Sequence, residues 1–258
     1  MKFGNHIFDI QDAPLNKALG FDYFEFAFGQ FTDMSDEEFE SFKKAVFELD
    51  FFPEAMSRML PARFQIVGDD PDLSEVIPFL EKGFARACQV GTKTVVFGSG
   101  GARSLPDGFT DMRKAYAQLV DFLRIAGDIA HKNGITISIE PLQFGESNIV
   151  NLVTDGAYLA ARVNHPAVRC LADYYHMASN EEQCWEIEAI ADRLEHCHIA
   201  RLEGRTYPLP TDTQDYRPFF DALKKIGYTG RVSIEGTPEH GMEKDGAAAL
   251  ALMKALAK

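Results

Sequence analysis

The 258 residues carry 39 acidic side chains against 26 basic ones, a net charge of −13, and 46% of them are hydrophobic. That length suffices for one sizeable core and is close to the ~250 residues of a (β/α)8 barrel, whereas two independent units would each be small, so a single domain over 1–258 is expected. An acidic chain with no Lys/Arg cluster argues against a nucleic-acid partner and favours a small-molecule substrate.

The N-terminal MKFGNHIFDIQDAP has no basic stretch followed by an apolar run, so no signal peptide is expected. No segment approaches the ~20 unbroken apolar residues of a membrane span. Cys88, Cys170, Cys184 and Cys197 are scattered and form no CxxC pair, which reads as a reduced, cytoplasmic protein. Along the chain, apolar strands are predicted near 2–5, 21–28, 63–67, 93–97, 135–140, 168–173, 196–200 and 231–235. Amphipathic helices are predicted between them, for example over 36–49, 73–91 and 109–134, the last closed by Lys132-Asn133-Gly134. Eight strands alternating with helices are the rhythm of a parallel sheet. An open doubly wound sheet would want a glycine-rich phosphate turn after its first strand, and residues 4–10 supply none, so a closed α/β barrel is expected.

Side-chain alternation gives the strands two faces. In GITISIEP, Ile135, Ile137 and Ile139 oppose Thr136, Ser138 and Glu140; in RVSIE, Val232 and Ile234 oppose Ser233 and Glu235. The apolar face meets the surrounding helices, so the polar face points inward and its terminal Glu reaches the mouth. The same rule in HCHIA turns His196 and His198 inward and Cys197 outward. Four strands thus end in metal-ligand side chains, Glu140, Asp173, His198 and Glu235, at the C-terminal mouth where such barrels keep their active sites. With 39 acidic residues and seven histidines in the chain, four chosen strand ends match by chance about once in a thousand, or about once in fifty or sixty with two positions allowed each. Each one alone reads more readily as a solvated turn residue.

Three carboxylates and one imidazole make a hard, oxygen-rich site suited to one divalent cation, Mn²⁺ or Mg²⁺ first, with Zn²⁺ or Co²⁺ also compatible. A cation also relieves the cost of burying three negative groups together. Around this set, His176 is either a surface-loop histidine or a donor to substrate oxygens, and Glu146 a solvated loop acid or a rim residue of the site. Glu25 points inward as a buried structural carboxylate or as a support to the ligands. GSGGARSLP (98–106) either cradles an anion, with Arg103 contacting a phosphate or hydroxyl, or is a tight turn out of the barrel.

IEPLQFGES, LADYYHMASNEE, HCHIARLEGR and DYRPFFDALKKIGYTGRVSIE resemble the sugar phosphate isomerase/epimerase superfamily, the xylose-isomerase-like TIM barrels that include ketose 3-epimerases, hydroxypyruvate isomerases and inosose dehydratases. The resemblance runs over most of the chain and is strongest from about 135 to 236. It implies a metal held by Glu140, Asp173, His198 and Glu235, with Glu146 and His176 contacting substrate. The ketose 3-epimerases carry an arginine six residues after the ligand histidine, where this chain has Gly204; Arg205 follows it and Arg201 precedes it, and Arg205 is expected to hold substrate oxygens. EGTPEHG also departs from the pattern.

Residues and resemblance together imply proton removal beside a carbonyl. Glu140 and Glu235 would act as general base and acid on opposite sides of a bound sugar, with the cation as Lewis acid for the developing enediolate oxygen. Proton return to the same carbon gives epimerisation, return to its neighbour gives isomerisation, and loss of hydroxide gives dehydration, as for an inosose-type cyclic polyol. The rivals are an apurinic-endonuclease-like phosphodiesterase, which wants more ligands and a basic surface, and a non-catalytic sugar-binding barrel. A homodimer or higher homo-oligomer is in keeping with the resemblance.

Overall fold

The computed structural model describes residues 1–258. Eight parallel strands close a barrel in chain order: β1 (Lys2–His6), β2 (Tyr23–Ala27), β3 (Ala55–Ser57), β4 (Thr94–Phe97), β5 (Thr136–Ile139), β6 (Val168–Asp173), β7 (Leu194–Ile199) and β8 (Arg231–Ile234). Pairing of β1 with β8 completes the circle, with Phe3 against Val232 and Asn5 against Ile234. The predicted helices lie at Asp36–Leu49, Val76–Gln89 and Met112–Lys132. The first is started by a capping box in which Ser35 and Glu38 satisfy each other's backbone amides. No helix is long and apolar enough to cross a membrane, and all four cysteines are unpaired.

Alternation sorts the strand residues as expected. Ile137, Ile139, Val232 and Ile234 join a cluster of 62 buried apolar residues between barrel and helices, and Cys197 lies there too. The inward hydroxyls pair across strands, Tyr23 with Ser233 at 2.9 Å and Thr94 with Ser138 at 2.9 Å.

Seven strands lie where the sequence predicts them; the third does not. RFQIV (63–67), rich in aromatic and β-branched residues, forms no strand, and β3 is the three-residue segment Ala55-Met56-Ser57. Neighbours decide this: β2 and β4 present free edges to Ala55 and Met56 from both sides. Residues 63–67 instead cover the barrel end, burying Ile66 and Val67. The Gln65 amide donates to the carbonyls of Val67, Ala102 and Ser104 at 3.0, 3.3 and 2.9 Å, replacing the ladder bonds a strand would have made.

Candidate active site

Glu140 and Glu235 each sit one residue beyond a strand, Asp173 ends β6, and His198 is the penultimate residue of β7. All four are buried, and one ligand atom from each lies within 4.8 Å of the others. His198 Nδ1 is 2.9 Å from Glu140 Oε1 and 3.2 Å from Glu235 Oε2. Its Nε2 faces away, 3.0 Å from Glu25 Oε1, while the second Glu25 oxygen is 3.0 Å from His196 Nε2. A carboxylate behind one imidazole nitrogen fixes the ring and leaves the other nitrogen free for a cation, the usual arrangement behind a metal-ligating histidine. Donor chemistry, spacing and this supporting carboxylate all fit a divalent ion held by Glu140, Asp173, His198 and Glu235.

The electrostatics fit it as well. Burial and the charge of Glu235 push the Glu140 carboxyl upward. Burial lifts Asp173 to about 6 against the pull of Arg205 and His198. Burial disfavours imidazolium at His198, yet Glu25 and Glu235 hold it well above its usual value. Glu235, despite burial, is kept well below the ordinary range by His198 and Arg205. Protons thus occupy a site whose fixed charge is negative, and a cation must displace them. Cation loading therefore falls as pH drops through about 6, where Asp173 takes up its proton, and keeps rising above it while the His198 imidazolium, held well above its usual value, gives up its own. Isothermal titration with Mn²⁺ at several pH values reads this, and a flat profile from pH 5 to 7 contradicts it.

His176, on the helix Tyr174–Ser179, is buried, with only 1% exposure, rather than lying on a surface loop. The Gln143 backbone amide donates to its Nδ1 at 3.1 Å, so the ring proton belongs on Nε2, which faces Asp173 at 3.5 Å. Glu146 stands half-exposed at the rim, accepts from Gln143 Nε2 at 3.0 Å, and is 3.6 Å from Arg205. Arg205 reaches inward because Gly204 and Arg205 both adopt left-handed backbone, with φ of 74° and 48°. Its Nη2 lies 2.6 Å from Glu235 and 3.4 Å from Asp173, and its guanidinium stacks 4.5 Å from the Tyr175 ring. Arg201 instead turns away to Asp212 and Glu239.

Of the two readings of 98–106, the structure favours the turn. Arg103 is fully buried and donates to the carbonyls of Phe97 and Val150, so it ties the end of β4 to the loop at Val150. Gly98 serves close approach, since a β-carbon there would collide with the Glu140 carboxylate. Gln143 and Tyr175 were not singled out by sequence; both are ordinary loop and helix-start residues whose partners come from separate segments. The mouth opens into a cavity of about 460 Å³ whose lining includes Glu140, Glu146, His176, Arg205 and Glu235.

Comparison with known proteins adds the lineage. A segment of the chain is 33% identical over 124 residues to the L-ribulose 3-epimerase of Methylomonas sp., covering 48% of this chain and 43% of that protein, so the match spans less than half of that relative's length. A probable ketose 3-epimerase of Synechocystis sp. is 26% identical over 240 residues, covering 90% of this chain and 78% of that one. The crystal structure of the D-allulose 3-epimerase from Methylomonas sp. in complex with D-allulose superposes with a TM-score of 0.86 at 23% identity, covering 99% of this chain and 96% of that one, a likeness of fold. Residues 15–256 match the family model for the xylose isomerase-like TIM barrel. With the closed eight-stranded barrel already described, that match over nearly the whole chain means that the protein belongs to the xylose isomerase-like TIM barrel family.

Proposed function

We propose that the protein is a divalent-metal-dependent epimerase or isomerase of a ketose or related sugar, working by proton transfer beside a carbonyl. The observation that carries this reading is the buried quartet Glu140, Asp173, His198 and Glu235 at the mouth, with two glutamates just beyond strands β5 and β8 that line the same cavity. Similarity to ketose 3-epimerases supports the substrate class. A divalent cation, Mn²⁺ favoured, supplies Lewis-acid stabilisation of the oxygen charge that develops during proton removal.

The chain's own groups do the rest. One of Glu140 and Glu235 takes the proton as general base and the other returns it from the opposite face. His176 Nε2 and the Arg205 guanidinium donate to sugar oxygens, and Arg205 also holds Glu235 in its ionised form. Glu146 orients Arg205 and lies at the entrance, where it can accept from a substrate hydroxyl. Glu146→Gln is expected to leave Mn²⁺ affinity unchanged and to lower kcat/KM by about tenfold, the loss of one hydrogen bond of ~1.4 kcal/mol. Steady-state kinetics beside a metal titration checks both.

The test of the assignment is metal analysis of the purified protein, followed by deuterium exchange in D₂O with Mn²⁺ against ketoses, aldoses and inososes. About one equivalent of metal, with deuterium entering at a carbon next to the carbonyl, is the expected result. Failure to take up Mn²⁺ overturns the reading, and loss of water from an inosose would move it to a dehydratase.

A further inference from the structure

Arg58 follows β3 directly and lines the same cavity as Glu140, His176, Arg205 and Glu235. Three arginines line that cavity, and two are neutralised: Arg63 by Asp33 at 2.7 and 2.9 Å, and Arg205 by Glu235. Arg58 is exposed and has no carboxylate partner; its guanidinium lies 5.5 Å from the centre of the Phe8 ring. Its backbone is left-handed, with φ 53°, a conformation that costs free energy in a long side chain and tends to persist where a site requires it. The Arg58 carbonyl is tied down by the Gly29 amide at 3.3 Å, so the surrounding fold holds the turn.

Two more unpaired polar groups lie at the neighbouring strand ends. Phe3 packs against the helices and Asn5 bonds to Asn16 and Tyr207 outside the barrel, so His6 faces inward, in register with Glu25. Met56 packs outward, so Ser57 also faces inward, in register with Ala27. His6 Nε2 and Ser57 Oγ are buried without a hydrogen-bond partner, at residue exposures of 2% and 1%. Such groups are uncommon in folded proteins and remain open to a partner that the protein itself does not supply. The His6 ring packs 4.7 Å from Phe8, the same ring that Arg58 covers, and Ser57 directly precedes Arg58 in the chain; of the three, Arg58 lines the cavity. Between β1 and β3, β2 ends in the small Ala27, which lines the cavity and leaves room above the strand ends.

We propose that Arg58, backed by His6 and Ser57, forms a subsite for an anionic group of the substrate, a carboxylate or a phosphate ester at the end of the carbon chain remote from the reacting carbonyl. Three potential donors with one uncompensated positive charge complement a group that is negative and rich in acceptor oxygens. The ligand quartet occupies β5 to β8 and these groups occupy β1 and β3, so one substrate spans the mouth. The substrate class rests on the sugar epimerase/isomerase reading above.

The test compares a neutral ketose, its terminal phosphate ester and the matching keto-acid with the Mn²⁺-loaded protein, by deuterium exchange and steady-state kinetics. One anionic substrate is expected to exceed the neutral ketose in kcat/KM by about 10- to 100-fold, mostly through KM, and which one does so distinguishes carboxylate from phosphate. In Arg58→Gln the anionic-to-neutral ratio should collapse towards one, and Arg58→Lys should restore part of it. Arg58→Gly relieves the left-handed backbone, so it should fold at least as well as the wild type and still lose the preference. Calorimetric binding of the same three ligands to metal-free protein reads the subsite without turnover. Tighter binding of an anionic sugar, lost in Arg58→Gln, sustains the subsite even if no ligand is turned over, a result that would count against the epimerase reading alone. Equal binding and equal kcat/KM for charged and neutral ligands overturn the subsite.

Discussion

Glu140→Gln and Glu235→Gln are each expected to lower turnover by about 10³-fold or more, because each removes both a general acid/base and a metal-ligand charge. The amide has the shape of the carboxylate but cannot take up a proton, and a single general acid or base accounts for roughly 10²- to 10⁴-fold on its own. The two variants should differ in their side effects. Glu140 contacts His198, whereas Glu235 also neutralises Arg205 at 2.6 Å. Losing Glu235 therefore frees the guanidinium to pair more closely with Asp173, and should weaken Mn²⁺ binding more. Kinetics at saturating Mn²⁺, beside a metal titration of each variant, separate the two effects. Wild-type turnover in either variant removes that glutamate from the reaction.

Glu25→Gln should weaken Mn²⁺ binding by about 10- to 100-fold although Glu25 lies behind the ligands. The carboxylate accepts from two imidazoles at once, His196 and His198, each at 3.0 Å. A carboxamide offers one acceptor oxygen and one donor nitrogen, so it cannot serve both rings in the same tautomers. His198 is then free to carry its proton on Nδ1, the nitrogen facing Glu140 and Glu235. Stability should respond too. Despite burial, His198 and His196 hold the Glu25 carboxyl below its usual value of 4.5. A depressed folded-state pKa adds stability above about 4.5 that disappears as pH falls through the folded value. Metal-free wild type should thus lose melting temperature on acidification more steeply than Glu25→Gln. Unchanged Mn²⁺ affinity in Glu25→Gln would mean that His198 is oriented by its packing alone.

Much of this was legible in the residues themselves. The alternation of GITISIEP and RVSIE placed Glu140 and Glu235 on inward faces at strand ends, and the structure has both carboxylates buried at the mouth. HCH was sorted by the same two-residue period, with Cys197 in the apolar layer and both histidines inside. The third strand was misplaced because propensity favours RFQIV, whereas β3 exists through pairing with β2 and β4. For Arg103 the residues leave an anion cradle and a tight turn equally open, and only the distant Val150 carbonyl, which accepts from its guanidinium, decides for the turn.

The sequence by itself determined the barrel's rhythm, the inward polar faces, and the identity of the four residues that meet at one point. Those are consequences of local periodicity, which a strand or helix carries in its own residues. The tertiary structure alone decided that Glu25 supports His198, that Gln143 sets the His176 tautomer, and that a left-handed Gly204–Arg205 turn delivers the guanidinium to Glu235. It also decided that Arg58 is left without a partner while Arg63 and Arg205 are paired. Each of these joins residues from segments far apart in the chain, and their meeting depends on barrel closure and strand register, which no local pattern encodes.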